Sequence, residues 1–299
     1  MPIRSPAALA AALSLFAVSL VALQNSLIRV VTDSGIHAFE VVFFRTLFGL
    51  LSVAAVILWT ERRLPRSPWV VRVGATSFIH LISMGAGFLG VALLPLNESA
   101  ALSFAMPLFA TVGAALFLGE DVRIRRWSAV IIGFLGVLII VRPGYVPISL
   151  GAAATLFAAM LGAAITLLFK TFAGVERGTT LIFYQCLFST LFGIPAQFFV
   201  WVTPDVFQFS ILAANGILGT ISWLCFLRAC TLVDASALMP YEFTRLPFVA
   251  VFAYLLFGEV PDKWVWLGAA IIFSSTLYIA HREAVAARRA RARSNKSGR

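Results

Sequence analysis

Residues 9–22, LAAALSLFAVSLVA, and residues 150–163, LGAAATLFAAMLGA, are identical at eight of fourteen positions. Beyond them, Arg29 falls opposite Lys170. Farther on, FLGE at 117–120 answers LFGE at 256–259, and Trp127, Ile132 and Phe134 answer Trp266, Ile271 and Phe273. The offset stays at 139–141 residues at both ends of the unit, which favours duplication over chance among Ala/Leu-rich strings. The chain therefore reads as two units, 1–145 and 146–282, followed by a basic tail at 283–299.

Composition says where those units sit. Of 299 residues, 61% are hydrophobic and 12% charged, against about 25% charged in a soluble domain. Mean hydropathy is +0.95. This excludes a soluble enzyme, a disordered regulator and a coiled coil, and leaves an all-α integral membrane protein. Apolar runs mark ten spans, near 7–31, 38–59, 69–93, 96–118, 127–141, 149–170, 179–201, 207–231, 235–257 and 264–281. Helices satisfy their own backbone hydrogen bonds in lipid, and no strand-like alternation suggests a barrel. Each unit holds five spans. Five is odd, so the second unit enters the membrane upside down. Ten transmembrane helices in two inverted five-helix repeats is an architecture of secondary transporters, with the site near the midplane between repeats.

Loop charge predicts the orientation. With the N-terminus cytoplasmic, the outer loops hold Arg29, Arg142 and Lys263, Arg45 and Arg245 lie within spans, and the other Lys and Arg face the cytoplasm. Both termini are then cytoplasmic. The net charge of +10 belongs to loops and tail, so it points to the anionic inner leaflet and not to nucleic acid. The three cysteines, Cys186, Cys225 and Cys230, lie in apolar runs without metal-ligand spacing, so neither a metal nor a disulfide framework is expected. No ATP or cofactor motif is present, and GAGFLG at 85–90 lacks the strand and Lys-Ser/Thr of a phosphate loop.

The duplicated unit, Arg45 in VVFFRTLFG, the turn ALLPLNESAALSFAMPLF and the LGE ends followed by Trp127 and Trp266 resemble the drug/metabolite transporter superfamily. The match is to its ten-helix EamA type, which includes YddG-like amino-acid exporters. The resemblance implies a secondary transporter of the bacterial inner membrane that exports small metabolites, amino acids foremost. Drugs, vitamins or other metabolites are the alternative cargo. An intramembrane enzyme is the competing class, but no HExxH, paired Asp or Ser/His dyad is visible. A monomer or weak dimer is expected.

Arg and Glu within a span cost roughly 2.5–3.5 kcal/mol on insertion scales, so they face the interior of the bundle. Arg45 lies roughly 12 Å deep at ~1.5 Å per residue. It either meets a substrate carboxylate or pairs with Glu98 or a carbonyl. Glu242 and Arg245, three residues apart on one helix face, form either a clamp for a zwitterion or a self-neutralising pair. Midplane His80 either contacts substrate or bonds a neighbouring helix. Asn25, Trp223 and Tyr241 are further candidate substrate contacts, with Gln24, Tyr184, Gln185 and Asn215 as possible lining. Pro107 and Pro247, 140 residues apart, are read as paired kinks that gate the cavity, against fixed packing bends.

Overall fold

The structure, a computed structural model, describes residues 6–62, 65–117, 124–142, 149–170, 178–232, 238, 241–242 and 244–278. The tail at 283–299 and most of the entry into span 9 lie outside the described residues. The described helices are α1 (Pro6–Asp33), α2 (Ala38–Glu61), α3 (Val70–Leu93), α4 (Leu96–Ser103), α5 (Met106–Phe117), α6 (Ile124–Val141), α7 (Leu150–Lys170), α8 (Gly178–Val200) and α9 (Val206–Leu232). They continue with α10 (Arg245–Phe257) and α11 (263–278). Span 4 consists of α4 and α5. Seven spans are long and apolar enough to cross a bilayer, and shorter apolar helices run over Trp127–Val141 and Arg245–Phe257. Side chains such as Phe117, Phe198 and Phe199 point outward with more than four-fifths of their surface free, the inverse of a water-soluble surface. This is an all-helical, multi-pass membrane protein.

Local chemistry sets the helix ends. The His37 ring accepts from the Phe39 N–H at the start of α2, and Arg62 closes α2 in the left-handed region at φ 54°. Gly258 ends α10 at φ +67°, a conformation that costs glycine no Cβ clash. The Gly258 N–H donates to Tyr254 and the Glu259 N–H to Ala253, a Schellman-type stop. LFGE at 256–259 is thus a helix terminator that carries its glutamate back over the helix end; its counterpart at 118–120 lies outside the described residues.

The helix packing shows the inverted repeat. α1 lies along α9, and α3 along α7. These are spans 1·8 and 6·3, which the repeat exchanges. Likewise α2 against α9 has its mate in α3 against α8, and α1 against α10 has its mate in α7 against α4 and α5. Single bonds obey the same exchange. The Ser83 hydroxyl donates to the Ala158 carbonyl at 3.0 Å, and the Ser222 hydroxyl to the Ala17 carbonyl at 2.9 Å. Offsets of 141 and 139 residues convert one bond into the other.

Spans 5 and 10 meet on the symmetry axis, nearly backbone to backbone. A Cβ at Gly136 would lie 2.9 Å from the Gly268 carbonyl oxygen. One at Gly268 would lie 2.6 Å from the Gly136 carbonyl oxygen and 2.4 Å from Ile140 Cγ1. Small residues permit such approach in lipid. Gly268→Leu is therefore expected to force the helices apart and destabilise the fold by about 1–3 kcal/mol. The measurement is the thermal midpoint of detergent-solubilised protein. Ala270→Leu, two positions on at an open position, is the control expected to leave that midpoint unchanged.

The prolines correct a detail of the expected kinks. Span 4 breaks at Phe104–Ala105, and Pro107 stands in the first turn of α5. Pro247 stands in the first turn of α10. Neither bends a continuous helix; each begins a second helical segment, where a missing N–H breaks no bond. Pro195 stands well inside α8, and sequence reading passed over it.

Candidate functional site

A cavity of about 250 Å³ lies among α1, α2, α3, α8 and α9 near mid-bundle. α1 contributes Gln24, α2 contributes Arg45, Thr46 and Gly49, and α3 contributes His80. From the second repeat come Gln185, Cys186 and Ser189 of α8 and Gly219, Thr220, Ser222 and Trp223 of α9. Arg45 is the charged side chain in this lining, and no carboxylate is among the described lining residues.

Arg45 has an unusual set of neighbours. Its Nη1 donates to the Met84 sulfur at 3.2 Å, a weak acceptor. Its guanidinium stands 5.9 Å from the centre of the Phe88 ring. No ion pair among the described residues involves Arg45, so the expected alternative partner Glu98 does not neutralise it. Room for the guanidinium comes from Gly219, whose Cβ would sit 3.2 Å from Arg45 Nη2 and 3.1 Å from Gln24 Oε1. The repeat places Gly219 opposite His80 and Trp223 opposite Met84. One half thus supplies cation and imidazole, the other space and an aromatic face. His80 Nδ1 is buried without a hydrogen-bond partner. Trp223 is 43% exposed and stacks on Phe226, ring centres 5.7 Å apart.

The other sequence candidates lie elsewhere. Asn25 is outside the lining, which takes its neighbour Gln24. The Asn215 amide donates to the Gln24 carbonyl at 3.1 Å, tying α9 to α1. The Tyr184 hydroxyl donates to the Pro65 carbonyl at 2.8 Å, at one end of the bundle. Tyr241 packs on the Ala10, Ala229 and Leu238 cluster. Arg245 Nη2 donates to the Ser103 hydroxyl at 2.7 Å, and its guanidinium lies 4.6 Å from the Phe104 ring centre. Arg245 thus joins spans 4 and 9, and neither it nor Glu242 lines the cavity. Pro107 and Pro247 stand at the half-helix starts already described. Gly219, Met84 and Glu259 are contributions that sequence reading missed; the repeat offset could have flagged Gly219 as the space opposite His80.

One end of the bundle is closed. Arg29 at the end of α1 donates to the Val91 and Leu94 carbonyls at the end of α3 and pairs with Asp33 at 3.0 Å. Glu259 lies 3.9 Å from Arg29 and accepts the Leu96 N–H at 2.9 Å. Arg142 pairs with Asp262 at 3.3 Å, and Gln208 donates to the Ser34 hydroxyl at 3.0 Å. All these groups stand at helix ends that alternation of the spans puts on one face, the Arg29 face. Between it and the cavity lies an apolar plug that includes Ile28, Val31, Val41, Phe44, Leu212 and Val249.

The sequence model of the EamA-like transporter family matches residues 6–142 and 149–280. The chain belongs to that family. Among its relatives, an S-adenosylmethionine uptake transporter of Rickettsia bellii is 30% identical over 249 residues, covering 83% of this chain and 85% of its own. A riboflavin transporter of Vibrio cholerae is 30% identical over 221 residues, covering 71% and 74%. A pseudopaline exporter of Pseudomonas aeruginosa is 25% identical, covering 83% and 88%. A solved structure, described as the crystal structure of a protein, superposes with a TM-score of 0.62 at 16% identity over 93% of this chain and 99% of its own; that likeness concerns the fold. The family relationship makes this chain a transporter of the drug/metabolite type.

Proposed function

We propose that this EamA-family chain carries a small heteroaromatic metabolite, neutral or anionic and of vitamin or nucleoside-derivative type, across the bacterial inner membrane by alternating access. The carrying observation is Arg45, a half-buried guanidinium with a sulfur and a ring for company and a cavity in front of it. Such a group binds strongly to an anionic or acceptor-rich edge. Gln24, His80 and Gln185 offer hydrogen bonds, and Trp223 offers a stacking face. The relatives named for riboflavin and S-adenosylmethionine support a cargo with a planar ring. Amino-acid export is the weaker reading, because an ammonium group finds no carboxylate in the described lining, and Arg245 is engaged with Ser103. The relatives' names include both uptake and export, so they favour neither direction.

The two repeats, 1–145 and 146–282, would rock about the axis between spans 2 and 7, with the half-helix starts at Pro107 and Pro247 as hinges. The cavity is complete in one chain, which suits a monomer. If the termini are cytoplasmic, the Arg29 face is external and this state is closed to the outside.

Cys186 lines the cavity and so reports occupancy. In a Cys225→Ser, Cys230→Ser background, riboflavin-type compounds are expected to slow alkylation of Cys186. Amino acids are expected to leave it unchanged, and the cationic S-adenosylmethionine to protect less. Protection by amino acids alone would overturn the assignment of cargo.

A further inference from the structure

Glu40 stands in the first turn of α2 at the Arg29 face and is 0% exposed. Its Oε2 accepts the Val202 N–H, beyond the end of α8, at 3.1 Å. Its Oε1 is buried with no hydrogen-bond partner. Gln197 of α8, also buried, reaches the same end of α2. Gln197 Nε2 donates to the Gly193 carbonyl at 3.2 Å and to the carbonyl of Phe39, the residue before Glu40, at 3.5 Å. Gln197 Oε1 has no partner. Two acceptor oxygens are therefore left unfilled on two side chains that bridge the same pair of helices.

No cationic side chain among the described residues pairs with Glu40. On α2 itself, the His37 ring is engaged as the helix cap, and Arg45 reaches Met84 instead. On α1, Arg29 and Asp33 pair with each other, and Arg29 turns toward α3 and Glu259. α3 presents His80, in the cavity lining. α8 carries Tyr184 and Cys186 toward its other end. Asp205, just before α9, takes the Gln208 N–H, and the ionisable groups of α9 begin at Cys225. None of the ion pairs among the described residues contains Glu40.

An ionised carboxylate buried without a cation is penalised by several kcal/mol, and such a group takes up a proton instead. The acid supplies one O–H donor at an oxygen that is otherwise buried and unfilled. We propose that Glu40 is a proton-binding site that latches the Arg29 face: the closed face holds the acid, and loss of the proton favours opening. This rests on the alternating-access reading above. The sign follows from linkage. The closed state binds one more proton than the open state, so raising the pH on that side draws the carrier open. Glu40 adjoins the plug residue Val41, with the plug between it and the cavity, so its proton exchanges with the Arg29 face. The proton regulates opening and is not carried.

The test uses right-side-out membrane vesicles of the Cys225→Ser, Cys230→Ser protein. An impermeant thiol reagent is added on the side of the Arg29 face, outside if the termini are cytoplasmic, and the rate of Cys186 modification is followed from mildly acidic to mildly alkaline pH on that side with the other side clamped. Thiolate chemistry at Cys186 is common to all variants, so the comparison is between variants. The Glu40 protein is expected to show a rise about fivefold or more steeper than Glu40→Gln, which mimics the acid and stays closed throughout. Glu40→Asp keeps a titrating carboxyl and is expected to keep the response, which covers a failure of Glu40→Gln to fold. An identical pH response in Glu40→Gln, or loss of the response in Glu40→Asp with the protein correctly inserted, overturns the latch. Riboflavin counterflow at fixed pH in the same vesicles tests the carrier reading separately, since that exchange does not depend on how opening responds to protons.

Discussion

Arg45→Ala is expected to lower counterflow of the cargo in proteoliposomes by about 100-fold, the scale reached when one partner of a buried, hydrogen-bonded charge pair is truncated. The free carrier holds its guanidinium against a sulfur and a ring, so alanine removes little that the resting protein uses. What disappears is the cation that an anionic or acceptor-rich substrate edge would meet in a cavity with no other described charge. Insertion and the thermal midpoint are expected to change little, which separates a binding role from a packing role. Arg45→Lys is expected to recover only part of the rate, because a compact ammonium lacks the planar fork. Full activity in Arg45→Ala, with normal insertion, would remove this residue from the site and with it the proposed class of cargo.

Arg29→Ala is expected to have the second largest effect, on the balance of conformations and not on cargo affinity. The side chain bonds the Val91 and Leu94 carbonyls and faces Asp33 and Glu259. It therefore joins the ends of spans 1, 3 and 9, and Glu259 extends the link to span 4 through the Leu96 N–H. Hydrogen bonds to charged groups contribute about 1.5–3 kcal/mol each, and partial solvent exposure here discounts the sum. A shift of about 2 kcal/mol toward the open state, roughly 30-fold, is expected to appear as faster modification of Cys186 from the Arg29 face. Glu259→Gln keeps an acceptor for the Leu96 N–H but removes the charge opposite Arg29, so its effect is expected to be smaller. Faster modification from the opposite face in Arg29→Ala would contradict the proposed closure.

The repeat exposes how the two halves divide their labour. Ser83–Ala158 and Ser222–Ala17 hold equivalent helix pairs with the same bond, so the frame is symmetric. The lining is not: Arg45 and His80 come from the first half, Gly219 and Trp223 from the second. A symmetric frame lets two opposite tilts have similar energy, whereas an asymmetric lining lets a single substrate sit one way round.

Several features were legible in the residues alone. Spans 1, 2, 3, 7 and 8 agree with α1, α2, α3, α8 and α9 to within a few residues at their described ends, because long apolar runs with polar stops admit one reading in lipid. The FLGE and LFGE ends were visible as a repeat, yet the work of the second copy was not. Gly258 turns the chain in the left-handed region and delivers Glu259 to the start of α4, a contact between residues 163 positions apart. Glu40 and Gln197 carried no signal at all. A glutamate in the first turn of a helix is ordinary sequence, and its lack of a partner depends on what α8 brings against it.

Hydropathy, the odd number of spans per unit and the 139–141 offset pointed to the membrane, an inverted repeat and a transporter-like architecture, because each is a periodic property that adds up over many residues. Which polar side chains face one another was left to the packing. Arg245 and Arg45 are each the one cation of an apolar span, and each has a glutamate three to five residues before it. One is spent on Ser103 and Phe104 between two helices, while the other stands before a cavity, because the rotation of a helix about its own axis is set by the neighbours it meets.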